Sequence, residues 1–220
     1  MQNPALPATP TRVAASVTGD ASSDVAFVVV HADESCLGNQ NDGLNPGGAG
    51  ALIEVRAKGK LTRRELSLAS TETTNNRMAL AGAIEVLERL SRKGHLHRTV
   101  YFSDSQYLVK GITEWVRGWK ARGWRRKAGP VENVELWKTL DALVGTRDIR
   151  FEWVRGHAGH VKNEYADHLA VSAAREQQQS GGIRASGLDD WLAARKSKGQ
   201  FVDFDPDADF ERVEREHGAR

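Results

Sequence analysis

The chain has 220 residues, 40% of them hydrophobic and 27% charged, with a formal net charge of +2 and a single cysteine, Cys36. That length suits one well-buried domain with tails rather than two domains, and a lone cysteine excludes an internal disulfide and fits a reducing compartment. No apolar run approaches the roughly 20 residues needed to span a bilayer, so no membrane partner is expected and the compartment expected is the cytoplasm.

Residues 1–24 are rich in Pro, Ala, Ser and Thr with one arginine, Arg12. They read as a disordered leader; a transit peptide is the alternative, because acids are absent before Asp20. Val25 to His31 is a β-branched run of the length of a buried central strand. After a Gly/Asn-rich turn from Gly38 to Gly48, Ala49 to Arg56 and Leu61 to Ala69 read as two strands of an antiparallel hairpin. Asn75 to Arg92 predicts the main helix, with Ala79, Ala83, Val86, Leu87 and Leu90 on one face. Thr99 to Phe102 reads as a fourth strand, and helical stretches follow at Gln106 to Gly111, Ile112 to Trp119 and Val134 to Leu143. Ile149 to Val154 reads as a fifth strand, and Lys162 to Arg175 as the last amphipathic helix of the domain. This order predicts an α/β fold: a mixed five-stranded sheet flanked by helices over residues 25–176.

Gln177 to Gly182 is a linker by composition. Beyond it, Leu188 to Lys196 could form a short helix, with the remainder extended or disordered, so that 177–220 is expected to be a flexible linker and charged tail. Charge is unevenly spread. Between Lys110 and Lys127 seven cations face one acid, Glu114, whereas from Phe201 onward seven acids face three arginines. Such asymmetry points to a polyanionic partner.

Asp33, Asp104 and Asp167 follow predicted strands or lie in the final helix, where α/β folds collect ligand sites. Taken singly, such residues are usually turn formers or helix caps. Their contexts are more specific. Asp33-Glu34-Ser35-Cys36-Leu37-Gly38-Asn39, Thr73-Thr74-Asn75-Asn76-Arg77-Met78, Ser103-Asp104-Ser105-Gln106-Tyr107, Gly111-Ile112-Thr113-Glu114-Trp115, Trp153-Val154-Arg155-Gly156-His157-Ala158-Gly159-His160 and Asn163-Glu164-Tyr165-Ala166-Asp167 occur in that order. Together they resemble the motifs of type 1 ribonuclease H, from about Val25 to Arg175.

The resemblance implies a ribonuclease H-like fold and hydrolysis of the RNA strand of RNA–DNA hybrids. It also implies two Mg²⁺ ions (or Mn²⁺) held by Asp33, Asp104 and Asp167, with one ion activating water and the other stabilising the departing 3′-oxygen. His157 resembles the family's mobile histidine, which assists proton transfer or product release, while His160 supports its loop. The family's fourth acid, a glutamate directly after Asn-Asn-Arg-Met, is Ala79 here. Glu72 and Glu85 do not obviously replace it. The expectation is therefore a chain that binds hybrid and cleaves it poorly, through an introduced rather than a natural substitution. A naturally non-catalytic hybrid-binding module is the alternative. Transposase- or integrase-like chemistry is disfavoured by the basic, Trp-rich stretch and the Gly-His-Ala-Gly-His loop.

That stretch, Trp115 to Lys127, interleaves Trp115, Trp119 and Trp124 with Arg122, Arg125 and Arg126, and resembles the family's basic protrusion against the DNA strand. Some of the tryptophans are expected to build core instead. The 2′-hydroxyls would be read by Cys36, Asn39, Asn75, Asn76 and Gln106, with Thr74 and Asn133 on phosphates; Asn75 is also the residue most expected to cap the main helix. Two departures stand out. Glu34 occupies a position usually glycine and is either solvated or perturbs metal binding. A lengthened loop leaves Asn39 or Asn45 as the substrate-contacting asparagine. The chain is expected to act as a monomer. Its acidic tail reads as a solvated end, a docking segment for an unknown partner, or a nucleic-acid mimic.

Overall fold

A computed structural model describes residues 25–38, 45–91, 97–156 and 159–218. Strands β1 (Ala26–Cys36), β2 (Asn45–Ala57) and β3 (Lys60–Thr73) form an antiparallel meander. The β2–β3 turn is two residues, Lys58 and Gly59, both at positive φ, which is the twist that closes a tight hairpin. Helix α1 (Asn75–Ser91) leads to β4 (His97–Ser103), which pairs parallel with β1. Then come α2 (Gln106–Lys110), a π-helical turn (Gly111–Trp115), α3 (Val116–Ala121), the two-residue ladder of β5 (Arg125–Arg126) with β6 (Gly129–Pro130), and α4 (Val134–Val144). Strand β7 (Asp148–Trp153) joins β4 in parallel, and α5 (Val161–Glu176) closes the expected domain.

The strand run read from the sequence is buried on both faces, and alternation divides it between two cores. Val28, Val30 and Ala32 of β1 pack with Ala79, Ala83, Val86 and Leu87 of α1, and with Trp137 and Leu140 of α4. Phe27 and Val29 point to the opposite layer. There α5 lies directly on β2, because Gly48 and Gly50 carry no side chain. A Cβ on Gly48 would stand 2.2 Å from the carbonyl oxygen of Ala170, and one on Gly50 would stand 2.3 Å from that of Ala166.

Residues 177–218 differ from the flexible tail expected over 177–220. Strand β8 (Arg184–Ala185) pairs with β3, so the mixed sheet has six strands in the order β7-β4-β1-β2-β3-β8. Helix α6 (Leu188–Lys196) follows the predicted span and sets Leu188 against Leu52, Tyr165 and Leu169. A further helix, α7 (Pro206–His217), is capped by Asp205, whose carboxylate accepts from the amides of Asp207 and Ala208. Its Phe210 and Val213 are fully buried against Phe27, Val29 and Val100. Its acids meet cations of the sheet, Asp207 with Arg63, and Glu211 and Glu214 with Arg56. The tail is thus the second layer over β1 and β4. Its acidic composition hid a helix with only two buried apolar residues.

Candidate active site

The parallel pair β1–β4 brings its carboxyl ends together, with Ala32 opposite Ser103. Asp33 is the next residue of β1, and Asp104 the first residue after β4. Ligand oxygens of Asp33, Glu34 and Asp104 lie within 4.8 Å of one another. Asp167, on α5, stands outside that close group but near enough for its charge to act on Asp33. The glycines that let α5 approach the sheet are therefore what bring Asp167 towards β1: Gly50 is the direct register partner of Asp33.

Strand parity sends Asp33 and Glu34 to opposite sides of the sheet. Asp33 faces α5, where its Oδ2 accepts from Asn163 Nδ2 at 2.9 Å and its Oδ1 accepts from the Glu34 amide at 2.7 Å. Glu34 faces α1, in a small cavity whose lining includes Ala79, Gly82, Ala49, Tyr101 and Ser103. The Ser105 side chain hydrogen-bonds to it. The main chain passes close beside Asp104 as well: a Cβ at Gly156 would lie 2.3 Å from Asp104 Oδ2, and Trp153 Nε1 donates to the Asp104 carbonyl at 3.0 Å.

Four carboxylates gather around one strand end, and repulsion and loss of water leave Asp33 and Glu34 holding protons. Burial first, then the charges of Asp104, Glu34 and Asp167, push the Asp33 carboxyl up to about 8. Burial and then Asp104 push Glu34 up to about 8 as well, with Ser105 working against them. An oxygen-only cluster under this strain is a donor set for a hard divalent cation, which would replace the protons.

Glu34 is the site residue that the sequence reading set aside as solvated or perturbing. Neither Glu72 nor Glu85 enters the cluster, yet Glu34 does. The available signal was a pair of departures from one pattern, an acid gained at 34 and an acid lost at 79. Ala79 itself is 5% exposed and belongs to the α1 core. Asn163, which holds Asp33, was quoted only as part of a motif.

The remaining predicted residues are spread around this centre. Thr74 rather than Asn75 caps α1, its Oγ1 accepting from the Arg77 amide at 3.3 Å. Asn75 keeps a buried Oδ1 with no partner among the described residues, while Asn76 and Gln106 are exposed. The Cys36 thiol is buried and donates to the Thr73 carbonyl at 3.5 Å, so the side chain is spent inside the fold. Asn133 sits at φ 54 before α4 and donates to Tyr107 Oη at 3.2 Å. Trp115, Trp119 and the buried Trp137 form a chain of rings at 5.8 and 5.5 Å, and Trp119 and Trp124 pack on the core. Arg122, Arg125 and Arg126 are exposed. Asn39 and His157 lie outside the described residues, and His160 is exposed at the start of α5.

Comparison with known proteins follows the same span. The RNase H family model matches residues 26–175. Ribonuclease H of Citrobacter koseri is 47% identical over 153 residues, covering 69% of this chain and 92% of that protein. Ribonuclease H of Escherichia coli K12 is 47% identical over 148 residues, covering 67% and 88%. The crystal structure of LC9-RNase H1, described as a type 1 RNase H with the type 2 active-site motif, is 48% identical with a TM-score of 0.72, over 77% of this chain and 82% of that one. The foamy viral protease-reverse transcriptase in complex with RNA/DNA hybrid shares the fold at 16% identity, with a TM-score of 0.55 over 78% of this chain and 22% of that one.

Proposed function

We infer the activity from one premise: this chain belongs to the ribonuclease H family, hydrolases that cut the RNA strand of RNA–DNA hybrids. We propose that it does so with a rearranged carboxylate set, in which Glu34 supplies the acid that position 79 lacks. The observation that carries this reading is the close approach of Asp33, Glu34 and Asp104, with Glu34 and Ala79 sharing one cavity. The relative described as a type 1 enzyme with the type 2 active-site motif supports the idea that a type 1 scaffold tolerates a changed set.

In this reading Asp33, Glu34, Asp104 and Asp167 would hold the divalent cations, Mg²⁺ or Mn²⁺. Bound there, two such ions supply an activated water and charge stabilisation for the departing 3′-oxygen. The chain's own residues do the rest. Asn163 and Ser105 orient the carboxylates, and Gly156 keeps the space beside Asp104 clear. His157 moves protons or releases product from its loop. Thr74, Asn75, Asn76 and Gln106 read sugar and phosphate across a shallow minor groove. Trp115, Trp119, Trp124 and the exposed arginines carry the DNA strand. The protein acts as a monomer in a reducing cytoplasm, where its one buried thiol has no partner to pair with. Among the described residues, no helix is long and apolar enough to cross a membrane.

A second reading is a chain that binds hybrid but cleaves it poorly, whether by an introduced change or as a natural binding module. It is favoured by the burial of the Ala79 methyl in the α1 core. Hybrid cleavage in Mg²⁺ separates the two readings. The rearranged set predicts a competent wild type, a loss of about 100-fold in E34Q, worth roughly 2.7 kcal/mol of barrier, and no gain in A79E. A slow wild type that A79E accelerates and E34Q leaves unchanged would overturn it.

A further inference from the structure

Helix α7 lies beyond the span shared with the family, yet it reaches the site through a buried relay. Asp209 Oδ2 stands 3.0 Å from Lys162 Nζ, and Lys162 Nζ stands 2.8 Å from Glu54 Oε2. Lys162 is 2% exposed and Glu54 is fully buried. Lysine is almost never so deep unless its charge is matched. Glu54 cannot match it alone, because the same carboxylate also takes Arg63 Nε at 2.9 Å. Within β2, β3 and α5 two cations thus share one acid, and α7 brings the others, Asp207 to Arg63 and Asp209 to Lys162. Lys162 also sits in the first turn of α5, where the helix dipole is unfavourable to a cation, so the need for Asp209 is greater still. The next residue along that turn is Asn163, the donor to Asp33. His31, two residues before Asp33 on β1, closes the same network, with its Nε2 3.9 Å from Glu54 and its ring stacked on Phe102.

We propose that α7 is a positioning element for the reaction: Asp209, through Lys162, fixes the first turn of α5 and with it the Asn163 amide that orients Asp33. The inference rests on the reading of Asp33 as a metal ligand, and it assigns Asp209 and Lys162 as positioning residues that touch no substrate.

The test compares Asp209→Ala with Glu214→Ala, which removes a different ion pair of the same helix, the one to Arg56, outside the relay. Two quantities are read: the Mg²⁺ midpoint for hybrid cleavage, and the side-chain amide NMR signal of Asn163 in the metal-free protein. Losing a partner directly behind a metal ligand costs about 10–100-fold in metal affinity. One contact further removed, D209A is expected to raise the Mg²⁺ midpoint about fivefold and to shift the Asn163 signal, with KM for the hybrid unchanged. D209E should restore both readouts, and E214A should move neither. If D209A is too unstable to purify, Asp209→Asn, which drops the charge and keeps an acceptor, takes its place. Equal midpoint shifts in D209A and E214A, or an unmoved Asn163 signal in D209A, would overturn the proposal. A wild type without Mg²⁺-dependent cleavage would instead sink the metal-site reading, and the Asn163 signal alone would then decide whether the relay exists.

Discussion

Glu34 and Ala79, far apart in the chain, line the same small cavity beneath the end of β1. A side chain entering from β1 and one entering from α1 thus compete for one space, and this chain fills it from β1. The competition has a consequence beyond the single variants. In A79E both acids are present, and a further charge joins a cluster already holding protons, so cleavage should fall below wild type. In the double variant Glu34→Gly, Ala79→Glu the acid changes side without changing number. Its rate should recover at least about tenfold over Glu34→Gly alone, roughly 1.4 kcal/mol of barrier. Steady-state cleavage of a hybrid by the four proteins measures this coupling, and additive single effects would refute a shared cavity.

The same cluster sets a pH dependence. Asp33 and Glu34 hold protons in the folded chain up to about pH 8 but release them near 4 when unfolded. Between those values the folded state carries more protons, so stability is fully present at low pH and is lost as pH rises through about 8. His31 works in the other direction. Burial and then Lys162 lower it to about 3, so its contribution is present above 6.5 and fades below it. The clean window is therefore pH 6.5 to 8. In it, the denaturation midpoint of the metal-free protein should fall with pH, and E34Q should flatten the fall by about half. Mg²⁺ should oppose the fall, because its binding releases the same protons. A metal-free midpoint that rises across this window would contradict the arrangement.

Much of the fold was legible because its signals are local. The β-branched run of β1, the Lys58–Gly59 turn and the α1 face each announce themselves within a few residues. The meeting of Asp33 and Asp104 at one end of the sheet was legible from motif and strand end. Glu34 was not, because strand parity assigns it to the opposite face from Asp33, and only the third dimension shows both faces meeting Asp104. Helix α7 was hidden for a different reason. Asp205-Pro206 is a start signal, and Phe210 and Val213 are spaced for one face, but seven acids made the segment look solvated. Their partners, Arg56, Arg63 and Lys162, lie far away in sequence.

Gly50 tests how closely α5 must sit on the sheet. The Cβ of Gly50→Ala would meet the backbone of Ala166 at 2.3 Å and that of Ala170 at 2.6 Å. Neither is a flexible side chain, so α5 must move outward, taking Asn163 and Asp167 with it. Overpacking of this kind costs about 3 kcal/mol. Urea denaturation should show a lowered midpoint at unchanged slope, and cleavage should fall even where the variant is fully folded. Wild-type stability in Gly50→Ala would mean that the approach is looser than this packing implies.

The basic stretch can be divided by what its arginines already touch. Arg126 donates to Glu132 at 2.6 Å on the surface, so part of its charge is engaged before any duplex arrives. Among the described residues, the Arg122 Nε meets only the Arg125 carbonyl, at 3.3 Å, a neutral acceptor that leaves its charge unmatched there. Each cation that neutralises a phosphate contributes about 0.9 to the slope of log affinity against log salt. Charge reversal at Arg122 or Arg125 should therefore flatten the slope by about one unit each, and reversal at Arg126 by less. Binding is best measured to an uncleavable hybrid across a salt series, so that turnover does not enter. Equal slopes for wild type and the Arg122 and Arg125 variants would remove the patch from the interface. A larger change at Arg126 than at Arg122 would show that the duplex strips Glu132 away on binding.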